Sequence, residues 1–437
     1  MKKNNSVRIG LILIALFISS VSAFGTGVDE AADDQSKPVQ IRFAWWGSEG
    51  RHDATLAAVD RFMEKYPSIV VKTEPQGWGG FHDKLATQIS TGNEPDVFQF
   101  ANDKYMADYA EAGMLYDISD FIGSIIDTDS IDKGTLGWGS FNGTLYGIPT
   151  GMNGQTLLYN KKIFDEAGAA YPEDSWTWDD YEAAGIKIAA TGKYAAVDFS
   201  TQLDYVSVLI YQMGGVIVDN NLQVVCLKEL TKIYEMAERF RAEGIFPPME
   251  ETVVHNTQQD NYFVLGEAAM KFDWAATAPM FNTSLVDGNL GSIGIAMMPG
   301  SSEKPASVTS LGSMPLLIGR NSEHKEEAAT LINFLINDPE AAAILKTVRG
   351  VPVSSKARTS LRSNLSEVDA MVFDAVDKLS AISLPAPAKY RVTRGGAANL
   401  GTIIQTEGEK VGFGQKTPAE AAADAVEQMQ SMIDKAN

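Results

Sequence analysis

A chain of 437 residues is longer than one hydrophobic core usually serves, so two domains are expected. Its 56 acidic against 36 basic side chains give a formal charge of −20, which leaves no basic footprint for a nucleic-acid backbone or an anionic membrane. The 45% hydrophobic content is ordinary for a globular protein and is neutral about an uncharged ligand.

Lys2, Lys3 and Arg8 precede an apolar run from Ile9 to Ile18, and Val21, Ser22 and Ala23 supply the small residues of a cleavage site. The run is too short for a bilayer span of roughly 20 residues. Residues 1–23 therefore read as a secretory signal peptide and 24–38 as a flexible leader. The only cysteine, Cys226, lies far from that segment, so neither a lipid anchor nor an internal disulfide is expected. A secreted chain held by neither is best retained by an outer membrane, which points to the periplasm. Cys226 itself reads as a buried small hydrophobe.

From Val39 the apolar residues Val39, Ile41, Phe43 and Trp45 alternate with Gln40, Arg42 and Ala44, the pattern of a half-buried strand. Leu56, Val59, Phe62, Met63 and Tyr66 then form a helical stripe ended by Pro67, and residues 69–71 begin another strand, completing a βαβ unit. A helix over 80–91, a strand over 96–100, a helix over 103–112 and strands around Leu145 and Leu157 follow. This is α/β architecture with a largely parallel sheet expected. After Thr177 the chain turns mainly helical, with strands at 269–274, 293–297 and 315–318. Asp338 before Pro339, and Thr417 before Pro418 and Glu420, mark helix starts. Short strands among late helices suggest returns to an earlier sheet, hence domains that are not contiguous.

The chemical inventory is sparse. The four histidines, His52, His82, His255 and His324, include no helical metal pair. Asp127, Asp129 and Asp132 resemble a calcium loop, but Ile131 and Asp132 occupy positions that such a loop reserves for a ligand and a glycine. No Gly-x-Ser-x-Gly elbow or P-loop occurs, and Gly77-Trp78-Gly79-Gly80 lacks dinucleotide spacing. No catalysis, metal or cofactor is expected. Seven tryptophans, Trp45, Trp46, Trp78, Trp138, Trp176, Trp178 and Trp274, fall largely at strand ends or loops. Such rings stack on the C–H faces of sugars, although a large ring is more often core than platform.

The segment Tyr146-Gly147-Ile148-Pro149-Thr150-Gly151-Met152-Asn153-Gly154-Gln155-Thr156-Leu157-Leu158-Tyr159-Asn160-Lys161 resembles the central signature of the extracellular solute-binding proteins that serve ABC sugar importers, the group that includes the maltose-binding proteins. Residues 89–97, 176–181 and 266–274 match in the same order. The resemblance implies an α/β type II periplasmic-binding-protein fold with two discontinuous lobes, residues 39–149 plus 311–350 and 150–310 plus 351–437. Chain crossings near 149–151, 309–313 and 350–352 would form the hinge. It also implies a carbohydrate ligand delivered to ABC permease subunits in the inner membrane, by a monomer with no nucleic-acid partner.

Carried over position by position, the resemblance implies ligand contacts at Trp46, Ser48 and Glu49 after the first strand, and at Asn102, Asp103 and Lys104 after the strand ending at Phe100. It implies further contacts at Asn153, Gly312 and Ser313 beside the hinge and at Trp274 in the second lobe. Asp103 also fits a helix N-cap. Arg349, Arg391 and Arg394 suit either an acidic sugar or pairing with the many carboxylates. Residues 395–401 and 198–205 depart from the maltose-binding pattern in their aromatics. The alternatives are a receptor of this fold for a peptide, polyamine or glycerol phosphate, and a secreted glycosidase.

Overall fold

The computed structural model describes residues 37–219, 221–257, 260–300, 310–382 and 396–436. The expected signal peptide, nearly all of the leader, Thr309, Arg391 and Arg394 lie outside them.

Strand β1 (Val39–Trp46) pairs in parallel with β2 (Ile69–Gln76), in register from Val39 opposite Ile69 to Trp46 opposite Gln76, and with β3 (Val97–Gln99). Helix α1 (Glu49–Lys65) crosses between β1 and β2 as the periodicity predicts, but its buried face is centred on Thr55, Ala58, Val59 and Phe62, and Leu56 is exposed. The half-buried reading of β1 also needs correction. Ala44 and Trp46 are buried as well as Phe43 and Trp45, because α2 (Phe81–Ser90) and α3 (Asn102–Glu111) cover the second face. A strand sandwiched by helices is apolar on both sides.

The hairpin β4 (Ser140–Phe141) to β5 (Thr144–Leu145) turns through Asn142 and Gly143, whose φ values of 49° and 84° suit a tight two-residue turn. The remaining strands are β6 (Gly147–Ile148), β7 (Gly151–Asn160), β8 (Tyr194–Ala196), β9 (Ala268–Trp274), β10 (Ile293–Ala296), β11 (Ser310–Ser313), β12 (Leu316–Ile318) and β13 (Val351–Pro352). The first sheet runs β2-β1-β3-β12-β6 and the second β10-β7-β9-β8, with β11 and β13 also on β7.

The expected largely parallel sheet is not what forms. Among the described strands only β2-β1-β3 and the pair β8-β9 are parallel; β12 is antiparallel to both neighbours, and so are β10, β9, β11 and β13 to β7. The reason lies in connection length. β12 begins only two residues after β11 and enters the first sheet from the end at which β3 leaves it, which forces the opposite direction.

Three segments run side by side where the chain passes between the sheets. Ser313 and Pro352 both stand opposite Gly151, and the Thr150 amide donates to the Ser313 carbonyl at 3.1 Å. A Cβ on Gly151 would lie 1.8 Å from the Arg349 carbonyl oxygen, so the crossing closes only around glycine.

Helices Leu227–Ala242, Gly396–Gly412 and Pro418–Ala436 pack beside the second sheet. Two helix starts follow the sequence reading. Asp338 accepts from the Glu340 amide at 2.8 Å, and Thr417 and Glu420 exchange bonds of 3.3 and 3.0 Å as a capping box. Cys226 is fully buried in the second core, where desolvation pushes its thiol up to about 12.

Candidate functional site

Two short connections locate the site. Only Pro149 and Thr150 separate β6 from β7, and only Met314 and Pro315 separate β11 from β12. Leu316 pairs with Gln99, the last residue of β3, while Trp274, the last residue of β9, pairs with Gln155 of β7. The carboxyl ends of β3 in one sheet and β9 in the other therefore approach the same crossing. Carboxyl ends of open α/β sheets are where loops gather ligand-binding groups.

On the first sheet, Trp46 is boxed in. Its ring lies 5.2 Å from Trp78, 5.3 Å from Phe81 and 5.1 Å from His82, and it is only 9% exposed. Trp78, in the loop between β2 and α2, is 48% exposed and is the ring this aromatic cluster presents to solvent. Ser48 and Glu49 are exposed at the start of α1, where Ser48 holds the N-cap position without a side-chain bond. Helix α3 starts at Asn102 with Ala101 as N-cap, so Asp103 sits inside the first turn and is not the cap. The side chains of Asn102, Asp103 and Lys104 lie outside the described part of the structure.

On the second sheet, Trp274 is half-buried and packs against none of the core clusters among the described residues. The turn that carries it is braced. Asp273 Oδ1 accepts from the Trp274 amide at 2.7 Å, Thr277 Oγ1 lies 3.0 Å from the same oxygen and 2.7 Å from the Trp274 carbonyl, and Lys271 pairs with Asp273 Oδ2 at 2.9 Å. Asn153 Oδ1 accepts from the amides of Gly154 and Ala276 at 3.0 and 3.1 Å, so its oxygen holds this turn. Gln155, opposite Trp274, is buried; its Nε2 donates to the Asp204 carbonyl at 3.2 Å and its Oε1 has no partner among the described residues.

At the crossing, Gly312 is buried with no room for a Cβ, which would stand 2.8 Å from the Thr135 carbonyl oxygen. Ser313 Oγ is 3.1 Å from the Gly151 carbonyl and 3.4 Å from that of Arg349. Among the described residues Arg349 pairs with no carboxylate; its side chain runs into the first sheet and donates to Gln99 and Thr55. Asp132 caps a helical turn through the Thr135 amide at 2.8 Å, and Asp127 pairs with Lys356. Among the described residues no three His, Cys, Asp or Glu side chains gather as metal ligands would.

The model of the family described as bacterial extracellular solute-binding proteins matches residues 47–342. The chain belongs to that family. The diacetylchitobiose binding protein DasA of Streptomyces coelicolor is 25% identical over 373 residues, 82% of this chain and 84% of the relative. An arabinooligosaccharide-binding protein of Bacillus subtilis is 24% identical over 351 residues, 78% and 77% of the two chains. A solved structure of a periplasmic oligogalacturonide binding protein from Yersinia enterocolitica, in complex with saturated digalacturonic acid, matches with a TM-score of 0.74 at 25% identity over 91% of this chain and 99% of that one. The fold is the two-lobed type II periplasmic-binding-protein fold.

In this solute-binding protein the structure gathers the sequence candidates into three groups: Trp46, Ser48 and Glu49 at the first sheet's edge, Asn153 and Trp274 at the second's, and Gly312 and Ser313 inside the crossing. Sequence reasoning left three residues out of the candidate set. Trp78 was legible as a loop ring from its glycine neighbours. Gln155 lies within the signature segment but nothing there set it apart, and Gln99 carried no local signal, because each is singled out only by partners distant in the chain. No helix among the described residues is long and apolar enough to cross a membrane.

Proposed function

We propose that the protein captures an oligosaccharide between the carboxyl edges of its two sheets and delivers it, unmodified, to an ABC permease. The observation that carries this reading is a ring at the carboxyl edge of each sheet: Trp78, 48% exposed just after β2, and Trp274, half-buried at the end of β9 and joined to no core cluster among the described residues. Stacking rings joined to buried amide groups such as Gln155 suit a ligand with apolar faces and hydroxyl edges. The ligands named for the relatives, diacetylchitobiose, arabino-oligosaccharide and digalacturonic acid, support the same class.

The lobes are residues 39–149 plus 311–350 and 150–310 plus 351–437, and Trp46, Ser48, Glu49, Asn102, Asp103, Lys104, Asn153, Trp274, Gly312 and Ser313 remain the contact set, joined by Trp78 and Gln155. The mature protein works as a monomer in the periplasm after removal of its signal peptide, with no cofactor and no turnover. A solute that touches both lobes binds the closed arrangement better and shifts the population towards it.

The test is calorimetric titration of the mature protein against a panel of neutral oligosaccharides, oligouronides, peptides and polyamines, with product analysis of each mixture and X-ray scattering at saturation. One-to-one binding of a sugar with contraction and no products is expected. Binding confined to peptides or polyamines, or release of hydrolysed sugar, overturns the reading.

A further inference from the structure

Beneath the first sheet's carboxyl edge lies an arrangement of charge that a neutral solute does not require. Arg349 is 4% exposed, yet among the described residues its guanidinium meets only neutral partners, Gln99 Oε1 through Nη1 and Thr55 Oγ1 through Nη2 at 3.0 Å, and its Nε has no partner there. Gln99, fully buried as the last residue of β3, keeps its own Nε2 unpartnered on the carbon whose oxygen Arg349 engages. Arg51, in the first turn of α1, donates to the Val348 carbonyl at 2.7 Å and the Trp46 carbonyl at 3.2 Å and, among the described residues, likewise pairs with no carboxylate. The Phe43 ring, 6.0 Å from the Arg349 guanidinium, closes the site below.

Among the described residues, two guanidinium groups are thus held under one sheet edge without a counter-ion, in a protein whose formal charge is −20. A buried charge left unpaired costs several kcal/mol, so most chains pair it or replace it. Acids are plentiful here, and Glu49 stands exposed at the rim, but it takes up neither arginine. Burial, followed by repulsion from Arg51, pulls Arg349 down to about 9, which leaves it charged at neutral pH. Its field reaches the edge through protein of low dielectric, where charge acts more strongly than in water.

We infer that the solute is acidic: Arg349, Arg51 and Gln99 form an anion-recognising subsite, and the ligand is an oligosaccharide bearing carboxylates, that is, an oligouronide. The inference rests on the oligosaccharide reading above and narrows its substrate class. A carboxylate supplies the missing counter-charge and matches the planar fork of a guanidinium. Arg349 acts from one layer below the edge, and Arg51, which touches the Trp46 carbonyl, stands nearest to the solute.

The experiment compares, on the unmodified mature protein, oligogalacturonates and oligoglucuronates with their methyl esters, which keep the shape and lose the charge, and with phosphorylated neutral oligosaccharides. We expect the free acid to bind at least about tenfold more tightly than its ester, with the advantage shrinking as salt rises. Arg51→Met and Arg349→Met should each reduce that acid-to-ester ratio, measured within each variant so that any change common to both ligands cancels; Arg51→Met serves if Arg349→Met does not fold. Esters or neutral sugars binding as well as the acid, a ratio unchanged in the variants, or preference for the phosphorylated sugars would overturn the uronide assignment while leaving the oligosaccharide reading intact. Silence from every sugar would overturn both.

Discussion

Replacing Trp274 by alanine separates a ligand platform from a core side chain. The ring is half-buried, joins no core cluster among the described residues, and stands on a turn braced by Asp273, Thr277 and the Asn153 oxygen, all of which the substitution leaves in place. Removing such a ring should cost under about 1 kcal/mol of stability, as surface changes do. As a desolvated anchor it should contribute about 2 kcal/mol of binding, so affinity should fall roughly thirtyfold. Trp45→Ala is the matched control. Trp45 is fully buried, lies 4.8 Å from Phe43 and donates to His52 Nδ1 at 3.1 Å, so its loss should cost about 3–5 kcal/mol of stability. Titration calorimetry gives the affinities and denaturant unfolding without ligand gives the stabilities. A Trp274→Ala protein with strongly reduced stability and near-normal affinity would refute the platform reasoning.

Two further outcomes follow from the packing. Burial alone would raise the Glu407 carboxyl, but bonds from Lys410, Lys416 and Gln428, each of 2.7 to 2.8 Å, outweigh it and hold the group below its ordinary 4.5. Its stabilisation is present above that value and is lost as pH falls through the lower folded value. Glu407→Gln should therefore cost about 1–3 kcal/mol in urea unfolding at pH 7, reduced from a fully buried pair because both lysines are partly exposed, and the difference from the parent should vanish in strong acid. A difference that persists there would count against the linkage. At the crossing, Gly151→Ala forces a Cβ towards backbone atoms that have no free space, and about 3 kcal/mol of destabilisation with disturbed ligand binding is expected. Parent-like unfolding and affinity would show that the crossing tolerates a wider spacing than the geometry allows.

Some of this was legible along the chain because its cause is local. The alternation of Val39 to Trp45, the stripe ending at Pro67 and the caps at Asp338 and Thr417 each depend on neighbours a few residues away, and each appears as the element expected. The signature around Tyr146 to Lys161 carried the family, and the family carried the two-lobed fold. Tertiary structure decided the rest. Strand direction followed from where β12 enters the sheet, not from its composition. Trp46, at a strand end, and Trp78, among glycines, both read as rings near a turn, and only the packing of α2 encloses one and leaves the other in solvent. Arg349 was open between a ligand and a carboxylate partner. Among the described residues its side chain takes no carboxylate and meets Gln99, 250 positions earlier, because folding brings the third crossing under the edge of the first sheet, and no pattern of short period reports a contact at that separation.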